Sequence, residues 1–204
     1  SQKVFERILD ELRAEANVEK RLPDVRPPPL QLDAPHTPRL GATEGSVVQV
    51  VEFSDFECPY CSRAADTLRE LKTKYAGQPV QFLFRHFPLN FHPNARPAAE
   101  YAQCAHEQDK FWPMHDAIFS AQRELSKDKL KELAGQAGLD TGKLDECIQS
   151  GRAGKLIDED MAKAGEAGVG GTPSFYINGQ SFEGNPTPSG LAAAIDAELA
   201  RLKG

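Results

Sequence analysis

No run of apolar residues in this chain approaches the ~18 that a membrane-crossing helix needs, so no span is read from it. Basic residues are in the minority. Lys and Arg number 24 against 30 Asp and Glu, a net charge of −6, and such a balance carries no footprint for nucleic acid. Internal repeats are absent. Histidines are few, and His86, His92, His106 and His115 make no ligand-spaced pair, so neither a metal nor a cofactor is expected. No leader-like segment opens the chain at Ser1, and the expectation is a mature or trimmed form of an exported protein. Cysteine is scarce at four residues, but the number is even, which fits two disulfides and an oxidising compartment. Within 204 residues, 40% of them hydrophobic, there is room for one large domain, or one domain with a small appendage.

What is present is most informative at Cys58-Pro59-Tyr60-Cys61. The strand-like run Val47–Phe53 leads to this dithiol, and a helix-like stretch follows it. A helix N-terminus has unpaired N–H groups and a partial positive charge, and both favour thiolate over thiol. The thiolate is the species that attacks disulfides. Pro59 suits a first helical position, where no backbone donor is required. The pattern points to thiol–disulfide exchange, with Cys58 as nucleophile and Cys61, one turn in, as resolving thiol. A structural disulfide and half a zinc site are the competing readings. The second lacks support, because Cys104 and Cys147 are far apart and neither forms a second such pair.

Around the motif the chain divides at about residue 40. Val4, Phe5, Ile8, Leu9 and Leu12 recur at helical spacing within residues 1–20. Pro23, Pro27, Pro28, Pro29, Pro35 and Pro38 then preclude helix and predict an extended, semi-rigid linker. A lone helix of that length is marginal in water, so its stripe docks on the body or pairs with another chain, unless it frays. The body, residues 41–204, starts its first strand near Val47. A helix from Pro59 to near Gly77 and a strand through Val80, Phe82 and Phe84 complete a βαβ unit. Five apolar stripes predict helices over residues 94–168. Phe175-Tyr176-Ile177 reads as a strand, Asn178-Gly179 as a hairpin turn, and Ser181-Phe182 as the start of the return strand. Thr187 caps a last helix, with Pro188 at its first position and Leu191, Ile195, Leu199 and Leu202 facing inward.

This order resembles the DsbA-like branch of the thioredoxin superfamily. The likeness is carried by Glu52–Cys61, by Arg85-His86-Phe87-Pro88-Leu89 with His92-Pro93, by Phe111-Trp112 with Met114-His115-Asp116, and by Gly170–Phe175 with Ile177-Asn178-Gly179. It covers about residues 45–203. It implies an α/β thioredoxin fold with a helical insertion between the βαβ and ββα halves. Thr172-Pro173 would be the cis-proline loop against the dithiol, where Thr172 offers backbone groups to an extended substrate and Pro59 and Tyr60 flank its path. Glu52 would lie beneath the dithiol and relay the Cys61 proton; the alternative is a carboxylate paired at a strand end. Cys104 and Cys147 would form a structural disulfide, or else remain two buried thiols. Asp55 and Glu57 are expected to be solvated surface; the alternative is that they surround the site and raise the Cys58 pKa slightly. Tyr60 adds no charge between the cysteines, and Thr172 stands where the strongest oxidases of the family carry valine. An oxidising couple follows, which need not be the most oxidising of the family.

The resemblance further implies an extracytoplasmic, periplasmic setting, unfolded or thiol-containing exported proteins as substrates, and a membrane redox partner that recycles the dithiol. Oxidase and isomerase both remain open. Isomerases usually act as oligomers, and the N-terminal helix would supply a homo-oligomerisation arm. A redox-regulated holdase or adaptor is the alternative function. A cytosolic glutathione-linked reductase is opposed by the extra cysteine pair.

Overall fold

The computed structural model describes residues 26–45 and 47–202. The helix expected over residues 1–20 lies outside the described residues. The sheet opens with a short strand, β1 (Arg39–Gly41), which the sequence reading did not anticipate. The apolar run forms β2 (Val48–Ser54), buried throughout except at Gln49. Next come α1 (Pro59–Lys74) and β3 (Val80–His86), with β2 and β3 parallel from Val48↔Val80 to Ser54↔His86. A helix must bridge two parallel strands, and α1 does so, closing the βαβ unit.

The helical stripes appear as α2 (Ala95–His106), α3 (Phe111–Ser120), a 3-10 turn (Gln122–Glu124), α4 (Lys127–Gln136), α5 (Thr141–Ser150) and α6 (Arg152–Ala167). Local signals set their ends. The Ser126 hydroxyl accepts from Lys129 N–H, and the Asp140 carboxylate from Gly142 and Lys143 N–H. Gly151, at φ 68°, turns α5 into α6. The chain returns through β4 (Ser174–Ile177) and β5 (Gln180–Ser181) and ends in α7 (Pro188–Arg201), capped by Thr187. Asn178 and Gly179 both take positive φ, 48° and 73°, as a two-residue hairpin turn demands. The sheet order is β1-β3-β2-β4-β5, with β4 antiparallel to β2. This is the α/β thioredoxin fold with a helical insertion between its two halves.

The side chains of β2 alternate between two layers. Val48 and Val50, with Val80, Phe82, Phe175 and Ile177, pack against α1 and α7. Val51, Phe53, Leu83 and Tyr176 face Ala164 of α6 and Leu32. The insertion shares a third core with the dithiol region, in which Met114, Ile118, Leu130 and Ile157 cluster with Phe56, Phe84 and a disulfide between Cys104 of α2 and Cys147 of α5. One expected core residue is not there: Leu202 lies past the end of α7 and is 43% exposed.

The proline-rich stretch has no helix over its described part and turns at Pro35-His36, where Thr37 N–H donates to Ala34 O, and it is fastened to the body. Leu30 N–H donates to Gly179 O at 3.0 Å, and Leu32 and Thr37 are buried. The cause is Arg85, a buried cation on β3. Its Nε pairs with Asp160 at 2.7 Å and its Nη1 donates to Leu32 O at 2.7 Å. Asp160 also accepts from His86 N–H at 2.8 Å and meets His36 Nε2 at 2.9 Å. A buried charge needs such partners, and residues 30–37 supply them, drawing the strap onto the sheet before it becomes β1.

Candidate active site

Cys58 sits where β2 hands over to α1. It is the N-cap of that helix, with extended backbone angles (φ −72°, ψ 121°), and Pro59 follows at the first helical position. Both thiols are free; Cys58 is 4% exposed and Cys61 fully buried. Their environments differ sharply. The Cys58 pKa falls from its ordinary 9.0 to about 5. The Cys61 thiol, donating to the Cys58 sulfur, is the main cause; burial opposes it, and Thr172 and the backbone N–H groups of Cys61 and Tyr60 add to the lowering. Burial pushes the Cys61 thiol far up, and its bond to Cys58 and the charge of Glu52 add to that. Asp55 N–H lies 3.4 Å from the Cys61 sulfur. One thiol is thus set to be a thiolate at neutral pH and the other to stay protonated.

Asp55 is not solvated, contrary to the sequence reading. It is 1% exposed and accepts four hydrogen bonds: from Glu57 N–H (2.7 Å) and Cys58 N–H (3.2 Å) on one oxygen, and from Leu89 N–H (2.7 Å) and His92 Nδ1 (2.8 Å) on the other. Glu57 is only half-buried and accepts from the backbone and side chain of Asn94. These two carboxylates seat the loop 87–94 against the dithiol loop. Asp55 is buried because the loop brings donors that repay its desolvation.

Glu52 lies on the same face of β2 as the residues beneath α1. It is 1% exposed, and neither of its oxygens has a hydrogen-bond partner among the described residues. Burial raises its pKa from 4.5 to about 7, opposed by Ser54 and the charge of Lys72. It is not paired at a strand end. Lys72 was missed by the sequence reading. Its Nζ stands 3.5 Å from the centre of the Trp112 ring, and burial lowers its pKa to about 8, against the charges of Asp116 and Glu52. A signal existed: Lys72 continues the series Cys61, Ala64, Ala65 and Leu68 on the inward face of α1, where a lysine is out of place.

From the other side comes Thr172-Pro173, whose peptide bond is cis. The Cys58 thiol reaches Thr172 O at 3.4 Å. Beside this contact lies a cleft of about 600 Å³ lined by Tyr60, Arg63, Thr67, Thr172, Pro173 and Pro186. Tyr60 is 61% exposed, with the Arg63 guanidinium 4.5 Å from its ring centre. Sequence-expected residues Cys58, Cys61, Glu52, Pro59, Tyr60, Thr172 and Pro173 therefore gather at one end of the sheet. Cys104 and Cys147 are held apart in the insertion. Among the described residues no three His, Cys, Asp or Glu side chains converge as a metal site.

Fold, cis-proline loop and asymmetric dithiol define a DsbA-like thiol–disulfide oxidoreductase. A family model described as Thioredoxin matches residues 33–197, and the chain belongs to that family. The thioredoxin-like oxidoreductase from Silicibacter pomeroyi DSS-3 is 31% identical, with a TM-score of 0.70 over 81% of this chain and 93% of its own. The thiol-disulfide exchange protein alpha-DsbA2 from Wolbachia pipientis shares the fold at 23% identity, with a TM-score of 0.72 over 80% of this chain and 88% of its own. The Na(+)/H(+) antiporter NhaA 3 of Salinispora tropica is 39% identical over 157 residues, which are 76% of this chain and 24% of that protein. The chain spans about a quarter of the length of the curated relatives it matches.

Proposed function

We propose that the chain exchanges disulfides with exported protein substrates outside the cytoplasm, through Cys58 and Cys61. The observation that carries this reading is the asymmetry of the dithiol: a thiol held toward thiolate at the N-cap of α1, above a buried and protonated partner. In the reducing direction the Cys58 thiolate attacks a substrate disulfide. The substrate S–S bond breaks, a mixed disulfide forms, and one substrate thiolate leaves. Cys61 then gives its proton to Glu52 and attacks the Cys58 sulfur. The mixed disulfide breaks, the second substrate thiolate leaves, and the enzyme is left oxidised. Oxidation of a substrate dithiol is the same path reversed. Glu52 suits the proton transfer because its raised pKa lets it change state near neutrality. Thr172 offers its backbone to an extended substrate, and Tyr60, Pro59 and the adjoining cleft receive the flanking residues.

A lowered Cys58 pKa stabilises the reduced form and makes the couple oxidising. The Cys104–Cys147 disulfide supports an oxidising, extracytoplasmic setting. As an oxidase the protein relies on a membrane redox partner to regain its disulfide. As an isomerase it works reduced, with residues 1–20 as an arm for homo-oligomerisation. Reactivation of a scrambled-disulfide substrate by the reduced protein, with Cys58→Ser as control, separates the two. Reactivation assigns isomerase activity. Failure, with rapid oxidation of a reduced substrate by the oxidised protein, assigns oxidase activity, and inertness in both assays overturns the reading. The exposed rings of Tyr60 and Phe91 favour a second reading, a redox-regulated holdase. A holdase keeps suppressing aggregation after Cys58→Ser.

A further inference from the structure

The helical insertion donates to backbone carbonyls of the dithiol loop through Gln122, in the 3-10 turn after α3. Its Nε2 donates to Phe56 O and to Cys58 O, each at 2.9 Å. A primary amide has two N–H bonds, and both are used. The two carbonyls lie on either side of the stretch that presents the nucleophile. Cys58 O already accepts Cys61 N–H (3.0 Å) and Ser62 N–H (3.2 Å) as the first acceptor of α1. Phe56 O has no other partner among the described residues. The amide is itself held in place. Phe119, one turn earlier, packs its ring 4.9 Å from that of Phe56, and Ala121 N–H closes the end of α3 on Ala117 O and Ile118 O.

We infer that Gln122 is a positioning residue for the redox reaction, fixing the backbone on both sides of Cys58 and stabilising its thiolate by neutralising two carbonyl oxygens. The inference rests on the reading of Cys58 as nucleophile. Its physical basis is the sign of the peptide dipole. Carbonyl oxygens carry the negative end, and the two tied by Gln122 belong to the backbone that bears the Cys58 thiol, where they would oppose the help that the N-terminus of α1 gives. An N–H aimed at each oxygen offsets that opposition. The bonds also keep Cys58 in the extended N-cap conformation from which its sulfur meets both Cys61 and Thr172. The carbonyls tied by Gln122 lie 66 and 64 residues away in sequence, so the insertion, which holds no reacting atom, acts directly on the redox couple.

The test compares the reduced full chain with Q122M, Q122E and Q122K. Methionine keeps the length and removes both donors. Glutamate keeps the shape and puts a negative charge in their place. Lysine keeps donors. The readouts are the thiolate absorbance of Cys58 against pH and the equilibrium with glutathione, with unfolding of the oxidised forms as the check on folding. The expected order of titration midpoints is wild type below Q122M below Q122E, with Q122K no higher than wild type. The glutathione equilibrium of Q122M shifts about tenfold toward the disulfide form, the scale of one to two net hydrogen bonds. Folded Q122M and Q122E with wild-type midpoints and equilibria overturn the inference and leave Gln122 a structural tie. If Q122M does not fold, Q122E above wild type with Q122K not above it remains the expected pair, and a wild-type midpoint in folded Q122E overturns the inference. A wild-type chain with neither a low-pH thiolate nor exchange instead defeats the nucleophile reading, and this inference falls with it.

Discussion

Glu52→Gln removes a pH-dependent penalty from the folded state. Burial raises the Glu52 pKa from 4.5 to about 7. A carboxyl that holds its proton more firmly in the folded chain favours folding below about pH 4.5, and this advantage is lost as pH climbs through about 7. At about 1.4 kcal/mol per pH unit, the span is worth about 3 kcal/mol. Cys58 works the other way. Its pKa falls from 9.0 to about 5, so it adds stability as pH rises between those values and loses it as pH falls through about 5. The comparison therefore belongs in a Cys58→Ser background. Urea unfolding of that variant, with and without Glu52→Gln, at pH 5 and pH 8, isolates Glu52. The chain with Glu52 loses most of that ~3 kcal/mol relative to its glutamine counterpart between the two pH values. Equal pH dependence in both would refute the assignment of a buried, proton-holding Glu52, and with it the proposed acceptor for the Cys61 proton.

Cys61→Ser leaves an attacking thiolate with no resolving thiol, so mixed disulfides with substrate accumulate and are seen on non-reducing gels; Cys58→Ser gives none. Replacing Cys104 and Cys147 together opens a loop closed across 43 residues and costs about 4 kcal/mol in the chain-entropy picture, measured by denaturation, while exchange at Cys58 persists. Asp160→Asn takes the anion from buried Arg85 and costs about 3 kcal/mol, with faster proteolysis within residues 26–41 as the local sign that the strap has loosened.

The parts of this molecule legible in the sequence are those decided by near neighbours. Val48–Ser54 reads as a strand because Val48, Val50, Val51 and Phe53 are β-branched or aromatic, and Asn178-Gly179 as a turn because both tolerate positive φ. Thr187-Pro188 marks a helix start by the same local logic. The gathering of Cys58, Cys61 and Thr172-Pro173 was legible only through motif order and family likeness, since Cys58 and Thr172 stand 114 residues apart. Asp55 was misread because its donors Leu89 and His92 belong to a loop that its own neighbourhood does not reveal. Strand β1 and the docked strap stayed hidden for a related reason. Their placement depends on Arg85 and Asp160, and a buried ion pair leaves no periodic trace. Gln122 sits beside Ser120, Arg123 and Glu124 in a surface-like stretch, and nothing local marks it.

Arg26, where the described strap begins, pairs with Glu198, and Arg201, near the end of α7, pairs with the same carboxylate. Glu198 also accepts from Asn178, whose side-chain oxygen takes Gln49 N–H at the first turn of β2. Arg26, Arg201 and Asn178 therefore converge on one carboxylate, at the opposite end of β2 from the dithiol. Seven residues of strand put roughly 20 Å between them. Whatever is held at the Glu198 patch would stay clear of Cys58, so binding there spares the redox face.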